Sequence, residues 1–307
     1  MSPFGRWYDN AGVRSGPRRR FHDETDDGKV FFPERLVPYL DHEALTSLSP
    51  QRRRELTVRH LYQFLLSTAH LETRIVNRAA ELIANGRSGL DLPISSKVDA
   101  FKVYCDEGYH SLYSLDLADQ IARQTGIAVP DWNYGGFVDA LAEAGTRLLP
   151  HSPNLVPLLQ VVVFETLITA VLNEIPIDPT VLTVVRDITR DHAKDEGRHH
   201  RYFAKLFHQL WHQLDPSLRG PVAHTLPELI TACLTWDIEP VHESLVLAGI
   251  DTSVARDVVH DSYSGSAGRE RLSDICRATM RVYQSAGVFD VPGATEAFTN
   301  RGLPPQA

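Results

Sequence analysis

Two copies of the pattern Glu-x-x-His are the residues of this chain best suited to chemistry. The first runs from Glu107 to His110 and the second from Glu196 to His199. Residues three positions apart share one face of an α-helix, so each copy would present a carboxylate and an imidazole to the same space. Carboxylates can bridge two cations, and neutral imidazole suits transition metals. The doubled pattern therefore predicts a site for two metal ions.

Each copy also follows an apolar stretch that carries a glutamate of its own. Glu72 precedes the first copy and Glu165 the second, the latter between Val161–Phe164 and Leu167. A buried carboxylate without a partner is unfavourable, so Glu165 needs a cation or a proton. Ferritin-like metal bundles take one Glu from each of two helices and one Glu-x-x-His from each of the other two. This chain supplies that set in that order.

A third histidine adds support for a metal site at the second copy of the pattern. His192, Glu196 and His199 are spaced i, i+4 and i+7, so they fall within about 60° around a helix axis. One isolated Glu-x-x-His would carry little weight in a chain with 14 histidines, because exposed helix residues explain it equally well. Two copies, each on a predicted helix and each with an upstream glutamate, favour the metal site.

The elements that must position these residues are helices. Ser49-Pro50 and Asp178-Pro179 each place an N-cap residue before a proline, which predicts a helix start. No strand alternation of useful length is present. The predicted fold class is all-α, with a ferritin-like four-helix bundle core over about residues 50–215 and additional C-terminal helices. The predicted helices cover about residues 50–85, 95–125, 134–148, 154–173, 178–214, 221–235, 240–248, 253–262 and 267–285.

The bundle is predicted to lie in a single all-α domain of residues 31–290. Residues 1–30 are rich in Gly, Pro and Arg and contain the acidic run Asp23–Asp27, which predicts a disordered or loosely attached arm. Residues 291–307, rich in Gly and Pro, predict an irregular tail.

Charge and cysteine content limit the partners, the kinds of metal site and the cellular location that fit this chain. The net charge of −8 over 307 residues gives no basic face for nucleic acid. The three cysteines form no Cys-x-x-Cys pair, so neither a disulfide framework nor a thiolate metal site is predicted. A reducing, cytoplasmic location fits that cysteine usage. The cysteines are Cys105, Cys233 and Cys276.

The most apolar run, Leu155 to Leu172, does not predict a membrane span. Pro157, Gln160 and Glu165 interrupt it. A carboxylate at the centre of a span is costly. A buried helix with one inward-facing ligand explains the run better.

The order of these motifs resembles the p-aminobenzoate N-oxygenase family of di-iron arylamine oxygenases. The resemblance rests on Ala69–Glu72, Asp106–His110 and Asp191–His199, with Glu165 between the last two, and it covers about residues 50–215. His192, one turn before the second Glu-x-x-His, is its distinguishing mark. The resemblance implies seven metal ligands and no catalytic residues beyond them. These are Glu72, Glu107, His110, Glu165, His192, Glu196 and His199.

The resemblance also implies the chemistry. Two iron ions and O2 would oxidise the nitrogen of an amine, mostly an arylamine, to a hydroxylamine, nitroso or nitro product in natural-product (antibiotic) biosynthesis. An external electron donor, a reductase or a ferredoxin, and a homodimer would be expected. Aromatic residues near the ligands in sequence could line the substrate pocket, and C-terminal arginines could bind a substrate carboxylate. These candidates are Phe64, Tyr109, Tyr113 and Phe164, and Arg269, Arg271, Arg277 and Arg281.

Other functions remain open at this point. A di-iron C–H hydroxylase or desaturase would use the same scaffold. A ferritin-type storage protein would be shorter, and a radical-generating subunit would need a tyrosine beside the site, such as Tyr104 or Tyr109. Three aspartates adjoin the ligands and are interpreted as exposed helix acids rather than partners of the imidazoles. They are Asp106, Asp191 and Asp195.

Overall fold

The fold is described from a computed structural model, which covers residues 2–22, 28–167, 169–235, 237–263 and 266–303 but not the side chains of residues 169–171 and 266–275. The regular structure of these residues is helical, apart from one β-bridge between Val30 and Val181. The prediction of an all-α fold is confirmed. In chain order the helices are α1 (Trp7–Asn10), α2 (Gly12–Ser15), α3 (Pro50–Leu71), α4 (Asn77–Ala84), α5 (Ile94–Thr125), α6 (Gly136–Leu148), α7 (Leu155–Leu167), α8 (Thr169–Glu174), α9 (Thr183–Gln213), α10 (Pro216–Cys233), α11 (Glu239–Leu247), α12 (Thr252–Tyr263), α13 (Ser266–Ala286) and α14 (Ala294–Thr299), with 3-10 turns at Glu34–Leu36, Glu43–Leu45 and Val288–Asp290.

The bundle consists of two helical pairs. α3 and α4 pack along α5, and α7 and α8 pack along α9. Contacts between α5 and α9, and between α7 and the segment that joins α3 to α4, bring the two pairs together. The four predicted ligand-bearing stretches therefore lie side by side, as the internal duplication of the motif requires.

The segment Glu72–Val76 is a π-helix that joins α3 to α4. The sequence predicted one uninterrupted helix here. A π-segment inserts one extra residue into a helix, so it changes which residues face the core on either side. Such segments occur frequently at functional sites. Glu72 is the first residue of this segment and is buried.

The start of α9 differs from the prediction. The helix begins at Thr183 rather than near Asp178. The Asp178 carboxylate instead accepts hydrogen bonds from the backbone N–H and the hydroxyl of Thr180. Val30 then pairs with Val181 in the β-bridge, which keeps the backbone extended for several more residues. An Asp-Pro pair serves a turn as well as a helix cap.

The charged ligand candidates separate two core clusters of buried apolar residues. Along α5, Val103 belongs to the first cluster and Leu117 to the second. Along α9, Phe203 belongs to the first cluster and Ile188 to the second. The Glu-x-x-His residues lie between these positions on both helices, so the polar centre is sealed by apolar packing at both ends.

The apolar helix α7 is a core helix. With α8 it is long and apolar enough to cross a membrane by length and composition, but every residue from Val156 to Leu167 is buried within the protein. Of its interrupting residues, Gln160 is tied to the fold by its side-chain N–H, which donates to the carbonyl of Leu141 at 2.8 Å. The C-terminal helices α10 and α13 cover α7, and Thr166 shares a 2.7 Å hydrogen bond with Thr279 of α13.

The described residues near both ends of the chain pack against the rest of the fold more than the sequence predicted. Phe4, Trp7 and Phe21 are buried, so residues 2–22 pack on the bundle instead of forming a loose arm. The polar composition of this stretch concealed the few aromatic anchors that attach it. The acidic run at residues 23–27 lies outside the described residues. In the predicted tail, α14 forms and buries Phe298, while residues 304–307 are outside the described part.

Candidate metal centre

All seven predicted ligands meet in two overlapping groups of buried side chains. Within each group the candidate ligand atoms lie within 4.8 Å of one another. Glu107 and Glu196 belong to both groups, as carboxylates that bridge two ions would. Site A is Glu72, Glu107, His110, His192 and Glu196, and site B is Glu107, Glu165, Glu196 and His199.

The ligand atoms of site A converge on a common point. Nε2 of His192 lies 3.3 Å from an oxygen of Glu72 and 3.3 Å from Oε1 of Glu196, yet it makes no hydrogen bond among the described residues. Nδ1 of His110 lies 2.7 Å from Oε2 of Glu107 and 3.6 Å from Oε1 of Glu196. Atoms bound to one ion at about 2.1 Å stand roughly 3 Å apart. Site A has that spacing.

Site B is built on the other imidazole. Nδ1 of His199 lies 2.6 Å from Oε1 of Glu107 and 3.1 Å from Oε1 of Glu196. The side chain of Glu165 is 1% exposed, and neither of its oxygens has a hydrogen-bond partner among the described residues. Oε2 of Glu72 and Oε2 of Glu196 are likewise buried without a hydrogen-bond partner among the described residues. Buried carboxylate oxygens without partners are costly unless a cation satisfies them, so these residues fit a pair of metal ions.

Two aspartates each lie within hydrogen-bond distance of Nε2 of an imidazole whose Nδ1 faces the ligand cluster. Asp106 precedes Glu107, but its Oδ2 lies 3.2 Å from Nε2 of His199, in the other motif. Asp195 precedes Glu196, and its Oδ2 lies 3.3 Å from Nε2 of His110. Each aspartate favours the tautomer that carries the proton on Nε2 and leaves Nδ1 free to bind a metal.

These contacts correct the interpretation of the neighbouring aspartates. Asp106 and Asp195 are 0% and 1% exposed, not surface acids. Arg198 forms an ion pair with Asp195, which leaves that carboxylate charged in a buried place. Asp191 pairs with Arg19 at 2.6 Å and remains partly exposed. The sequence signal available was the repeated Asp-Glu-Gly-x-His string, in which each aspartate precedes a ligand glutamate.

The electrostatics of the cluster show an excess of negative charge. Burial, and then the charges of Glu107 and Glu196, raise the pKa of Glu72 well above its usual value. Burial followed by the charge of Glu196 does the same to the pKa of Glu165. Burial also opposes ionisation of Glu107, but the charges of His199 and His110 outweigh it and lower that pKa to about 2.

The pKa values of the imidazoles of His199 and His192 are shifted in opposite directions. Burial alone would lower the pKa of His199, but the charges of Glu107 and Glu196 outweigh it and raise that pKa well above its usual value. Burial and the neighbouring His110 lower the pKa of His192, which therefore presents a neutral imidazole. The carboxylates thus attract protons when no cation is present. Metal cations would replace these protons.

A cavity of about 340 Å³ lies next to site A. Tyr109, Tyr113 and Ile188 form part of its wall, and Asp195 also lines it. The ring of Tyr113 is 5.5 Å from the ring of His110 and 6.1 Å from that of His192. Its hydroxyl is buried without a hydrogen-bond partner among the described residues. Burial raises the pKa of Tyr113, so the hydroxyl keeps its proton and can donate.

The cavity differs from the pocket that the sequence suggested. Of the four aromatic candidates, Tyr109 and Tyr113 line it, whereas Phe164 is buried in the core and Phe64 packs against the second core cluster. Arg277 is exposed, as is Arg281, and the side chains of residues 269 and 271 lie outside the described part. The arginines that line the cavity come from the N-terminal segment that had been predicted to be loose. They are Arg18 and Arg19.

Fold and site together define a ferritin-like helical protein with a buried carboxylate–histidine cluster able to hold two metal ions. The family model of the p-aminobenzoate N-oxygenase AurF matches residues 20–287. The chain therefore belongs to this family, and it is an oxidoreductase because the family is one of N-oxygenases. The resemblance drawn from the motifs is confirmed, and the match extends well beyond them. No curated protein matches the chain.

Proposed function

We propose that this protein is a di-iron oxygenase that uses O2 to oxidise the nitrogen of an amine, and that the amine is an arylamine. The observation that carries the proposal is the pair of overlapping ligand groups, which combine four carboxylates with three imidazoles. That donor set suits iron, because carboxylates supply the negative charge and neutral imidazole binds iron well. Membership of a family of arylamine N-oxygenases supports the choice of substrate.

Bound iron would supply the reductive activation of O2, which side chains alone cannot perform. For the first step, an amine, O2, two electrons and two protons give a hydroxylamine and water. The electrons come from an external donor, which we propose to be a reductase or a ferredoxin. The residues of the chain hold the ions, fix the imidazoles through Asp106 and Asp195, and exclude water through the two core clusters.

We propose the cavity beside site A as the place where the amine approaches. Its volume is at the small end of the range for ligand pockets, which suits a single-ring compound. Tyr109 and Tyr113 offer aromatic edges to a substrate ring. The unpartnered hydroxyl of Tyr113 offers a hydrogen bond to a polar substituent. A cytoplasmic location and a homodimer also belong to this proposal.

The metal centre is tested by iron content. We expect two iron ions per chain in the parent protein, and a clear fall in the Glu165→Ala and His199→Ala variants. Glu143→Ala, which changes an exposed glutamate of α6, is the matched control and should keep both ions. Equal iron content in all four proteins would contradict the site.

The chemistry is tested by supplying the reduced, iron-loaded protein with O2 and a panel of aryl and alkyl amines. We expect hydroxylamine, nitroso or nitro products from the arylamines, identified by mass spectrometry with 18O2. Products with new C–OH or C=C bonds, and none oxidised at nitrogen, would instead support the C–H hydroxylase or desaturase.

A further inference from the structure

We propose that residues 2–19 form an N-terminal clasp that positions two of the metal-binding imidazoles through Asp106 and Asp195. The inference rests on the metal centre proposed above. The family match begins at residue 20, so the clasp lies outside the matched part of the chain. Trp7 and Gly12 act here as positioning residues, because each donates a hydrogen bond to an aspartate rather than to a candidate metal ligand.

The first contact joins Trp7 to Asp106. The indole Nε1 donates to Oδ1 and Oδ2 of Asp106 at 2.9 and 2.8 Å. The same Oδ2 lies 3.2 Å from Nε2 of His199. The Trp7 side chain is only 7% exposed, so water does not readily replace its N–H. The indole therefore fixes the carboxylate that fixes the imidazole of site B.

The second contact joins Gly12 to Asp195. The backbone N–H of Gly12 donates to Oδ2 of Asp195 at 3.3 Å, and that oxygen lies 3.3 Å from Nε2 of His110. A Cβ at position 12 would come within 2.9 Å of the same oxygen. Because Asp195 is already held by His110 and Arg198, it has little freedom to move away. Glycine at this position therefore preserves the orientation of the imidazole of site A.

The clasp is anchored on the two helices that carry the Glu-x-x-His motifs. Ser2 donates to Asp99 of α5 at 2.6 Å, and Arg18 pairs with Asp116 of α5. Arg19 pairs with Asp191 of α9 at 2.6 Å. Phe4 lies against His199 with ring centroids 6.0 Å apart. The segment thus spans both helices above the site, and its two contacts serve one imidazole in each motif.

The arrangement predicts separable effects for the two contacts. Loss of the partner of a metal-bound histidine lowers metal affinity by about 10- to 100-fold. Trp7→Phe removes the N–H and keeps most of the ring, so it should loosen the ion at site B. Gly12→Ala displaces Asp195, so it should loosen the ion at site A.

The test uses the full chain loaded with Co2+, a spectroscopic substitute for iron. We would measure the rate of metal transfer to a chelator, and the hyperfine-shifted NMR signals of exchangeable imidazole N–H protons. We expect transfer of one ion to be faster in each variant, by up to about the tenfold that loss of a histidine's direct partner produces. We expect the signal of His199 to change in Trp7→Phe and that of His110 to change in Gly12→Ala.

Trp211→Phe is the matched control, because Trp211 is similarly buried but lies about 18 Å along α9 from His199. It should leave transfer rates and both signals unchanged, which separates positioning from a general loss of packing. Unchanged rates and signals in Trp7→Phe and Gly12→Ala, with two ions bound to the parent, would overturn the clasp alone. A parent that binds no metal would overturn the metal centre and the clasp with it.

Discussion

At the scale of single residues, the buried glutamates conflict with one another until a cation joins them. Four carboxylates share a space enclosed by apolar packing, and several of their oxygens have no partner among the described residues. Protons satisfy them in part, as the raised pKa values of Glu72 and Glu165 indicate. Replacing one of these glutamates by a neutral residue should therefore stabilise the metal-free protein and destabilise the metal-loaded protein.

Glu165→Gln tests that opposition. The pKa of Glu165 is raised by folding, so its contribution to stability is present below its unfolded pKa near 4.5 and is lost as pH rises toward the folded value. Glutamine cannot ionise. We expect the metal-free variant to be about 1–3 kcal/mol more stable than the metal-free parent at pH 8, and nearly equal to it at pH 4.5. Urea unfolding at both pH values measures the difference.

Iron should reverse that order, because glutamine cannot replace a carboxylate ligand of site B. In the loaded state the variant should be the less stable of the two at pH 8. A metal-free Glu165→Gln protein that is less stable than its parent at pH 8 would show that Glu165 is not under electrostatic strain.

His192 distinguishes the two sites. It belongs to site A, whereas site B contains only His199 as its imidazole. We expect His192→Ala to retain the ion of site B and to lose the ion of site A, since the mutation removes a neutral ligand from one group only. Metal analysis after dialysis against a chelator should give close to one ion per chain, with affinity at site A reduced at least about tenfold. Loss of both ions, or of neither, would contradict the assignment.

At the scale of elements, the π-helix at Glu72–Val76 is the feature that composition could not reveal. It reflects a local change in the backbone hydrogen-bond register from i→i+4 to i→i+5. The segment lets the apolar residues before and after it face the core while Glu72 faces the metal ligands. The element is thus part of the site, although the sequence predicts only an ordinary long helix there.

Deletion of Thr73 tests the π-helix. Thr73 is exposed, and removing it would let α3 run into α4 with regular α-helical bonding. We expect the helix content by circular dichroism to be nearly unchanged and the affinity for metal at site A to fall by at least about tenfold, because Glu72 rotates away from its partners. Thr73→Ala keeps the extra residue and should retain both ions. Full metal binding by the deletion variant would show that the π-helix is dispensable.

The helical period explains why the seven candidate ligands could be predicted to share a site and why the aspartates that contact their imidazoles could not. Glu107 with His110, and His192 with Glu196 and His199, share faces because of spacing alone. Asp106 and Asp195 each hold an imidazole of the other motif, and that depends on how α5 and α9 pack. The clasp contacts join residues 99 and 183 positions apart, which no local pattern encodes.

At the scale of the whole molecule, the candidate metal centre lies between the two core clusters of buried apolar residues. The first and second core clusters meet across the ligand layer, and the clasp, α3–α4, α5, α7 and α9 all contact it. Ligands that bind only the folded state stabilise it by mass action. The temperature of unfolding should therefore rise when the ions bind.

We expect anaerobic Fe2+ at about 100 times its dissociation constant to add about 2.7 kcal/mol for a single ion. For a chain of this size the shift in Tm should be about 4 °C for the first ion, and larger for two. Differential scanning calorimetry with Fe2+ and with excess chelator measures it. The Glu143→Ala control should shift as the parent does, whereas the double variant Glu107→Ala/Glu196→Ala, which removes the two carboxylates common to both sites, should shift much less. If that double variant responds to iron like its parent, the stabilising ions bind elsewhere, and the buried cluster is a polar layer of the core rather than the metal centre.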